Sequence, residues 1–376
     1  MSFLAYIACW SCVILLGHVF VGYPVWMWLL ARIRPLPVRK RAVTPTVTVV
    51  ICVHDGARYL RAKFANLRAL DYPRENIDIV MACDGCHDAT AALARHLGGP
   101  TVRVLEFTHR RGKAACLNDA IALATGEVLL LTDVRQKLSP TALRELVANL
   151  ADPDVGAVSG ELHMENVNTG FAKGVDAYWR YEKLIRQAES QSGSTIGVTG
   201  ALYAMRRELF QPLPPGTVLD DVLIPMRIAA KGKRVVFESR ALAWDKPSQR
   251  PAEERKRKIR TLAGNYQLVQ LAPWLIDPWT NPLWFRFVSH KILRLLAPWM
   301  IMLLALTTAA LATRHLVYAL ILLCLLIGAA LVAIERFLPL AGRWLPVRLA
   351  VAFYYLNLFA AQALIAFTRN RGLHLW

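Results

Sequence analysis

The chain has 376 residues, of which 55% are hydrophobic, enough for one large α/β domain plus segments buried in a bilayer. Its formal net charge of +18 is strongly basic, yet no nucleic-acid-binding motif accompanies the charge, so nucleic acid is excluded as a partner. The seven cysteines form no disulfide framework, and Cys83-Asp84-Gly85-Cys86 is a lone CxxC without a second pair or histidines at zinc spacing, so a zinc site is excluded too.

In chain order, residues 3–31 are almost uncharged until Arg32, longer than the roughly 20 apolar residues that cross a bilayer. No basic stretch precedes this run and no small-residue cleavage site succeeds it, so it reads as a span rather than a cleaved signal. The cluster Arg32, Arg34, Arg39, Lys40 and Arg41 places the next part of the chain in the cytoplasm. A Pro-containing linker leads to Val47–Val53, a buried strand that ends at His54-Asp55-Gly56. A helix over 57–70 comes next, then a strand over 78–83 ending at Asp84-Gly85, a helix over 88–97 and a short strand over 102–105. A helix from Lys113 to Ala124 precedes the apolar run Val128 to Thr132, which ends at Asp133. Alternating strands and helices imply βαβ units and a mostly parallel sheet, with strand C-termini along one edge. Ligands of such sheets bind at that edge.

Three strands therefore deliver Asp55, Asp84 and Asp133 to the same edge. One such acid is ordinary turn chemistry, whereas three together repel unless they face sugar or base donors or a hard cation. Neither GxGxxG nor a GxxxxGK[ST] phosphate loop comes after a strand, which disfavours a dinucleotide fold. Beyond residue 139 the sequence predicts a helix opened by Ser139-Pro140, a strand over 155–160, a long helix over 170–190, a flexible polar stretch from Ser192 to Thr199 and a strand over 200–207. Asp220 and Asp221 then open an amphipathic helix, with a strand over 235–237 after it. Acids at a helix start are also simple dipole partners.

The layout expected is an N-terminal span over 1–34, a cytosolic domain over 35–250, amphipathic interfacial helices over 251–290, and about three spans within 291–376. The basic cluster Arg255, Lys256, Arg257, Lys258 and Arg260 and the aromatics Trp274, Trp279, Trp284 and Phe285 mark contact with membrane lipids. The tail with Arg369 and Arg371 argues against the outside C-terminus that four spans would give.

These motifs resemble the membrane-bound family 2 glycosyltransferases, the group of cellulose, hyaluronan and chitin synthases and ceramide glucosyltransferase. The resemblance covers roughly residues 45–262 and rests on Val53-His54-Asp55-Gly56, Cys83-Asp84-Gly85, Gly112-Lys113, Thr132-Asp133-Val134-Arg135, Thr199-Gly200-Ala201-Leu202 with the residues to Arg207, and Asp220-Asp221, in the family's order. It implies a GT-A fold, a UDP-sugar donor, a lipid or glycan acceptor, and Mg²⁺ or Mn²⁺ as cofactor. By the same resemblance Val53, Asp55, Asp84, Lys113 and Asp133 hold the donor nucleotide and Asp133 the metal. Asp221 is the catalytic base, and Arg135, Gly200, Ala201, Asp220, Arg257 and Arg260 lie toward the acceptor or the diphosphate. The location implied is the cell inner membrane, with the catalytic domain in the cytoplasm. Arg135 stands where the family often has the second acid of its DxD, and Thr261 where it has the Trp of QxxRW, so single-sugar transfer is at least as well supported as polymer synthesis. A catalytically inactive scaffold of a polysaccharide-export complex is the rival reading.

Overall fold

The computed structural model describes residues 2–165, 170–246, 251–338, 344–369, 372 and 375; Arg371 lies outside them. Strand β1 (Val47–Val53) pairs in parallel with β2 (Ile77–Asp84) and with β4 (Val128–Leu131), and β2 pairs in parallel with β3 (Val102–Phe107). Every residue of β1 and β4 is buried, as expected of strands covered on both faces. The sheet continues with β7 (Tyr203–Arg206), antiparallel to β4, then β6 (Val155–Met164), β8 (Arg234–Asp245) and the two-residue edge strand β5 (Lys137–Leu138), in the order β3-β2-β1-β4-β7-β6-β8-β5.

Helices cover both faces. One core packs α3 (Ala57–Arg68), α4 (Thr90–Gly98) and α6 (Ala142–Leu150) under the strands; the other packs α5 (Lys113–Ala122) and α8 (Asp220–Ala230) over them. The helix expected from Ser139 begins instead at Ala142, because Ser139 caps a turn whose carbonyl accepts the Ala142 N–H. The stretch expected to be flexible, Ser192 to Thr199, is instead held: Thr195, Ile196 and Val198 are buried and the Val198 N–H donates to the Asp221 carbonyl at 2.9 Å. The strand expected over 235–237 extends to twelve residues, and only Tyr203–Arg206 of the run 200–207 is strand.

Among the described residues, four helical stretches are long and apolar enough to cross a membrane: Phe3–Ile33, Trp284–Leu311, Leu316–Glu335 and Leu345–Arg369. The second begins at Trp284 rather than at 291, so residues assigned to the interfacial layer lead directly into a span. Their outer faces leave Phe3, Leu303, Leu306, Leu316 and Leu326 exposed, an apolar surface suited to lipid. The first stretch joins α1 (Ser2–Gly17) to α2 (Tyr23–Ile33) through a π-helical turn at His18–Gly22. The second has a matching π turn at Val288–Ile292 before α11 (Leu293–Leu311), after the short α10 (Trp284–Phe287), and the His18 Nε2 and Ser289 Oγ of the two turns lie 2.9 Å apart. The sheet domain docks on these spans through α7 (Gly170–Gln191), whose Ile185 and Ala188 pack against Tyr23 and Met27. It also docks through α9 (Pro251–Leu271), which packs on α13 (Leu345–Arg369), itself packed on α12 (Leu316–Phe337).

Gly264 of α9 is where that docking reaches the sheet domain. A Cβ there would lie 2.7 Å from Leu219 Cγ and 3.0 Å from Val218 Cγ1, just before the two acids that open α8. Gly264→Val is expected to destabilise the protein by about 1–3 kcal/mol through overpacking, read as a lower Tm in detergent; an unchanged Tm would show that α9 does not press on this segment.

Candidate active site

The carboxyl ends of β1, β2 and β4 form one edge, and each ends in an acid held differently. Asp55 adopts φ +47°, a left-handed conformation costing a non-glycine residue about 1 kcal/mol or more. The strain aims its Oδ1 at the N–H groups of His87 (2.7 Å) and Asp88 (3.4 Å). The His87 N–H holds the Asp55 carboxyl below its ordinary range, helped by His54, whose Nε2 lies 3.3 Å from Oδ2. Val53 is buried, its carbonyl facing the Cys86 thiol at 3.5 Å.

Asp84 is fully buried. Its two oxygens accept the N–H groups of Arg111 (2.6 Å) and Gly112 (2.9 Å), and its carbonyl accepts His54 Nδ1 at 2.8 Å. In this conformation Asp84 orders the loop that starts α5. That loop passes so close to Gly85 (φ +58°) that a Cβ would lie 2.6 Å from the Arg110 backbone nitrogen. Gly112, at φ +85°, makes the turn from which Lys113 projects.

Lys113 is the junction. Its Nζ lies 3.4 Å from Asp133 Oδ1 and 3.3 Å from Asp220 Oδ2, and a Cβ on Gly200 would be 3.6 Å from both Lys113 Nζ and Asp221 Oδ2. Burial alone would lower the ammonium's pKa, but Asp133, Asp220, Tyr203 and Asp221 together raise it well above the ordinary lysine range. Asp221 is half-buried, and desolvation and the neighbouring Asp220 push its carboxyl up to about 6 against the pull of Lys113, Lys291 and Arg186. Among the described residues the buried Tyr203 hydroxyl has no hydrogen-bond partner, and Asp220 Oδ2 has only its ion pair with Lys113, so the floor of the pocket has room for hydrogen bonds from a ligand or water.

The structure thus brings Asp133, Lys113, Asp220, Asp221 and Gly200 together, with Asp55, Asp84 and Val53 on the same strand edge. Ala201 lies behind, its carbonyl accepting Thr132 Oγ1 at 2.8 Å. Arg135 points elsewhere: its guanidinium pairs at 2.6 Å with the buried Asp245 at the end of β8, which also accepts Gln136 Nε2 at 2.9 Å. Arg257 and Arg260 lie on α9; Arg257 pairs with Glu254 of its own helix at 3.5 Å, and among the described residues neither bonds to the carboxylate group.

A hard divalent cation fits this donor set. Asp133 is about one-third exposed and only its Oδ1 is engaged, by Lys113. The grouping His54, Asp55 and Cys86, whose donor atoms lie within 4.8 Å of one another, mixes nitrogen, oxygen and sulfur. Burial raises the Cys86 thiol above its ordinary range.

Lys63 is the site residue that the motifs did not single out. It is buried beneath the Asp133 loop and donates to Thr132 Oγ1 (2.9 Å) and the Gln136 carbonyl (3.0 Å), bracketing Asp133 from below. Burial pushes its pKa down to about 7 despite the attraction of Asp133. A signal for it exists in the sequence: Leu60, Lys63, Phe64 and Leu67 make the buried stripe of α3, and a lysine on such a stripe needs a partner.

The sequence model of the family described as glycosyltransferase like family 2 matches residues 45–264. The mannosyltransferase PcManGT from Pyrobaculum calidifontis, solved in complex with GDP-Man and Mn²⁺, superimposes with a TM-score of 0.72 and 26% identity, covering 96% of this chain and 98% of that one. The probable glycosyltransferase YdaM of Bacillus subtilis (strain 168) is 21% identical over 273 residues, 68% of this chain and 64% of that protein. An N-acetylglucosaminyltransferase of Rhizobium meliloti (strain 1021) is 25% identical over 182 residues, 47% of this chain and 42% of that protein. The aligned region therefore spans less than two thirds of either curated relative. With the GT-A sheet, the edge of acids and a family match across more than half of its length, the chain belongs to glycosyltransferase family 2.

Proposed function

We propose that this protein is an integral-membrane, inverting glycosyltransferase that moves one sugar from a nucleoside diphosphate sugar to a lipid-linked or glycan acceptor at the cytoplasmic membrane face. The observation that carries this reading is the Lys113 junction, where one ammonium lies 3.4 Å from the acid at a strand end and 3.3 Å from the acid pair opening α8. The lysine and the α5 start sit where a diphosphate would lie, and Asp221 sits beside them with a carboxyl held near neutrality.

The chemistry rests on these positions. The acceptor hydroxyl oxygen attacks the anomeric carbon and its proton passes to an Asp221 oxygen. The bond from that carbon to the diphosphate oxygen breaks, and the nucleoside diphosphate leaves with the electron pair. A carboxyl near 6 is ionised at neutral pH yet basic enough to accept a proton. Lys113 offsets charge on the departing diphosphate. Asp133 would hold Mg²⁺ or Mn²⁺, which would supply Lewis-acid stabilisation of the leaving group. Asp55, with Oδ2 turned to the cleft beside His54 and His87, takes ribose or base donors, while Asp84 acts by holding the Lys113 loop.

UDP-sugar is the donor that the resemblance implies, and GDP-mannose is the donor named for the archaeal neighbour, so both belong in one assay panel. Arg135 in place of a second acid is the observation that favours the rival reading, an inactive scaffold. Its commitment to Asp245 leaves Asp133, Lys113 and Asp221 unblocked, which supports an enzyme.

Four outcomes are expected. In membranes or detergent, nucleoside diphosphate is released from at least one sugar of the panel in an Mn²⁺- or Mg²⁺-dependent manner. Asp221→Asn removes turnover by about 10²-fold or more with donor binding retained, whereas undiminished turnover in this variant overturns the base assignment, and absence of both turnover and donor binding in wild type supports the scaffold. The logarithm of kcat/KM rises with pH and levels off above about 6, because Asp221 must be ionised to accept the proton; a rate that falls as pH climbs through 6 contradicts that role. Lys63→Met, which releases the Asp133 loop, raises the donor KM about tenfold with a smaller change in kcat; a change in kcat alone rejects the positioning role.

A further inference from the structure

The end of β1 carries donors of a second kind, softer than the carboxylates around Lys113. His54, Asp55 and Cys86 bring an imidazole, a carboxylate and a thiol to one place, one donor atom from each lying within 4.8 Å of the others. Spacing along the chain argues against zinc at the Cys83 and Cys86 pair, and Cys83 is buried within β2. Folding gives Cys86 different company, the two residues that follow β1.

Two of the donors are held from behind. His54 Nδ1 donates to the Asp84 carbonyl at 2.8 Å, which in the neutral ring leaves the Nε2 lone pair facing Asp55 Oδ2 at 3.3 Å. Two acceptors at that separation need a cation between them. Asp55 Oδ1 takes the N–H groups of His87 and Asp88, so Oδ2 is the oxygen turned to a ligand. An imidazole and a carboxylate each fixed by backbone groups on the far side is the arrangement that orients zinc ligands. Ligand atoms around tetrahedral zinc, at bonds of about 2.0–2.3 Å, lie about 3.3–3.8 Å apart. The His54–Asp55 pair meets that spacing, and His87 Nδ1 lies 3.8 Å from the same Oδ2 on an exposed ring that can turn to close the fourth position. The Cys86 thiol is a weak donor to the Val53 carbonyl at 3.5 Å, a contact that a metal bond readily replaces. One carboxylate and one thiolate balance the charge of Zn²⁺, and nitrogen with sulfur selects it over Mg²⁺ or Mn²⁺, which suit the oxygen of Asp133.

We infer that His54, Asp55, Cys86 and His87 form a zinc site separate from the Asp133 site, and that Zn²⁺ bound there blocks the donor nucleotide by occupying Asp55 Oδ2. On binding, the Cys86 S–H bond breaks, its proton passes to solvent and the thiolate bonds the metal. Burial raises the free thiol, so the proton leaves only when zinc takes its place. The zinc-binding half stands on this geometry alone. The blocking half rests on the transferase reading, in which Asp55 takes ribose or base donors. Zinc is then an inhibitor that competes with the nucleoside diphosphate sugar and that added Mn²⁺ does not relieve.

The test uses untagged full-length protein in detergent, kept reduced with a phosphine and held in saturating Mg²⁺ to fill Asp133. It is titrated with Zn²⁺ against a chromophoric chelator, and with Co²⁺ as the spectroscopic probe. Wild type is expected to bind a single Zn²⁺ per chain, and its Co²⁺ form to show a thiolate-to-metal charge-transfer band. Cys86→Ser removes the band and weakens Zn²⁺ about tenfold or more, as does His54→Gln; the near-isosteric serine keeps the wild-type Tm and so carries the test if the histidine variant unfolds. In wild type, uridine or guanosine diphosphate weakens zinc binding, and zinc raises the donor KM with kcat unchanged. Absence of the band, or a zinc affinity that Cys86→Ser leaves unaltered, overturns the site. Zinc that binds equally well in saturating nucleotide overturns the blocking role. Failure to bind any nucleotide strikes the transferase reading, while the cobalt band still stands for the site.

Discussion

One ammonium group organises the catalytic edge. Asp133, Asp220 and Asp221 come from two distant parts of the chain, and bringing three carboxylates into a half-buried pocket is unfavourable by a few kcal/mol per close pair at an effective dielectric near 20. Lys113 lies within 3.4 Å of two of them and draws on the field of the third. Its own place depends on Asp84, which is buried so that its carboxylate can take the two N–H groups preceding the lysine. The acid at the end of β2 is therefore what sets the cation that makes the other acids compatible. The same balance leaves Asp221 near neutrality, because Asp220 pushes its pKa up while Lys113 and the more distant Arg186 and Lys291 pull it down.

A second constraint is the way the sheet domain meets the spans. α7 and α9 each touch both, and the chain between them includes α8, which opens with Asp220 and Asp221. The 192–198 loop is hydrogen-bonded to the Asp221 carbonyl on one side and to Arg286, at the head of the second span, on the other. The two π turns face one another at the same level. Wide turns of this kind often sit at functional sites, and here the second one places His290 against Glu182 and Glu189 of α7.

Some of this is legible in the sequence for plain physical reasons. β1, β2 and β4 are short unbroken apolar runs closed by Asp, and both the strands and the acids lie where the runs predict. The four apolar stretches are equally plain, since few charges interrupt them. The parts that escape are long-range. Lys63 partners Thr132 and Gln136 from the far side of β1, and Asp245 captures Arg135 from the end of a strand that reads as three residues long because Glu238 and Arg240 interrupt its apolar pattern. The Ser192–Thr199 stretch reads as polar and mobile, yet it is tied to β8 and β6, Ser194 Oγ accepting the Val235 N–H of β8 and the Thr199 N–H donating to Ser159 Oγ of β6.

The most direct measurement is an experimental structure of the full-length protein with Mn²⁺ and an unreactive analogue of whichever nucleotide sugar it binds. The account predicts the diphosphate between Lys113 and Asp133, the nucleoside toward Asp55, and the anomeric carbon facing Asp221. A nucleotide bound away from this edge, or Asp221 turned from the sugar with another carboxylate in its place, would contradict it.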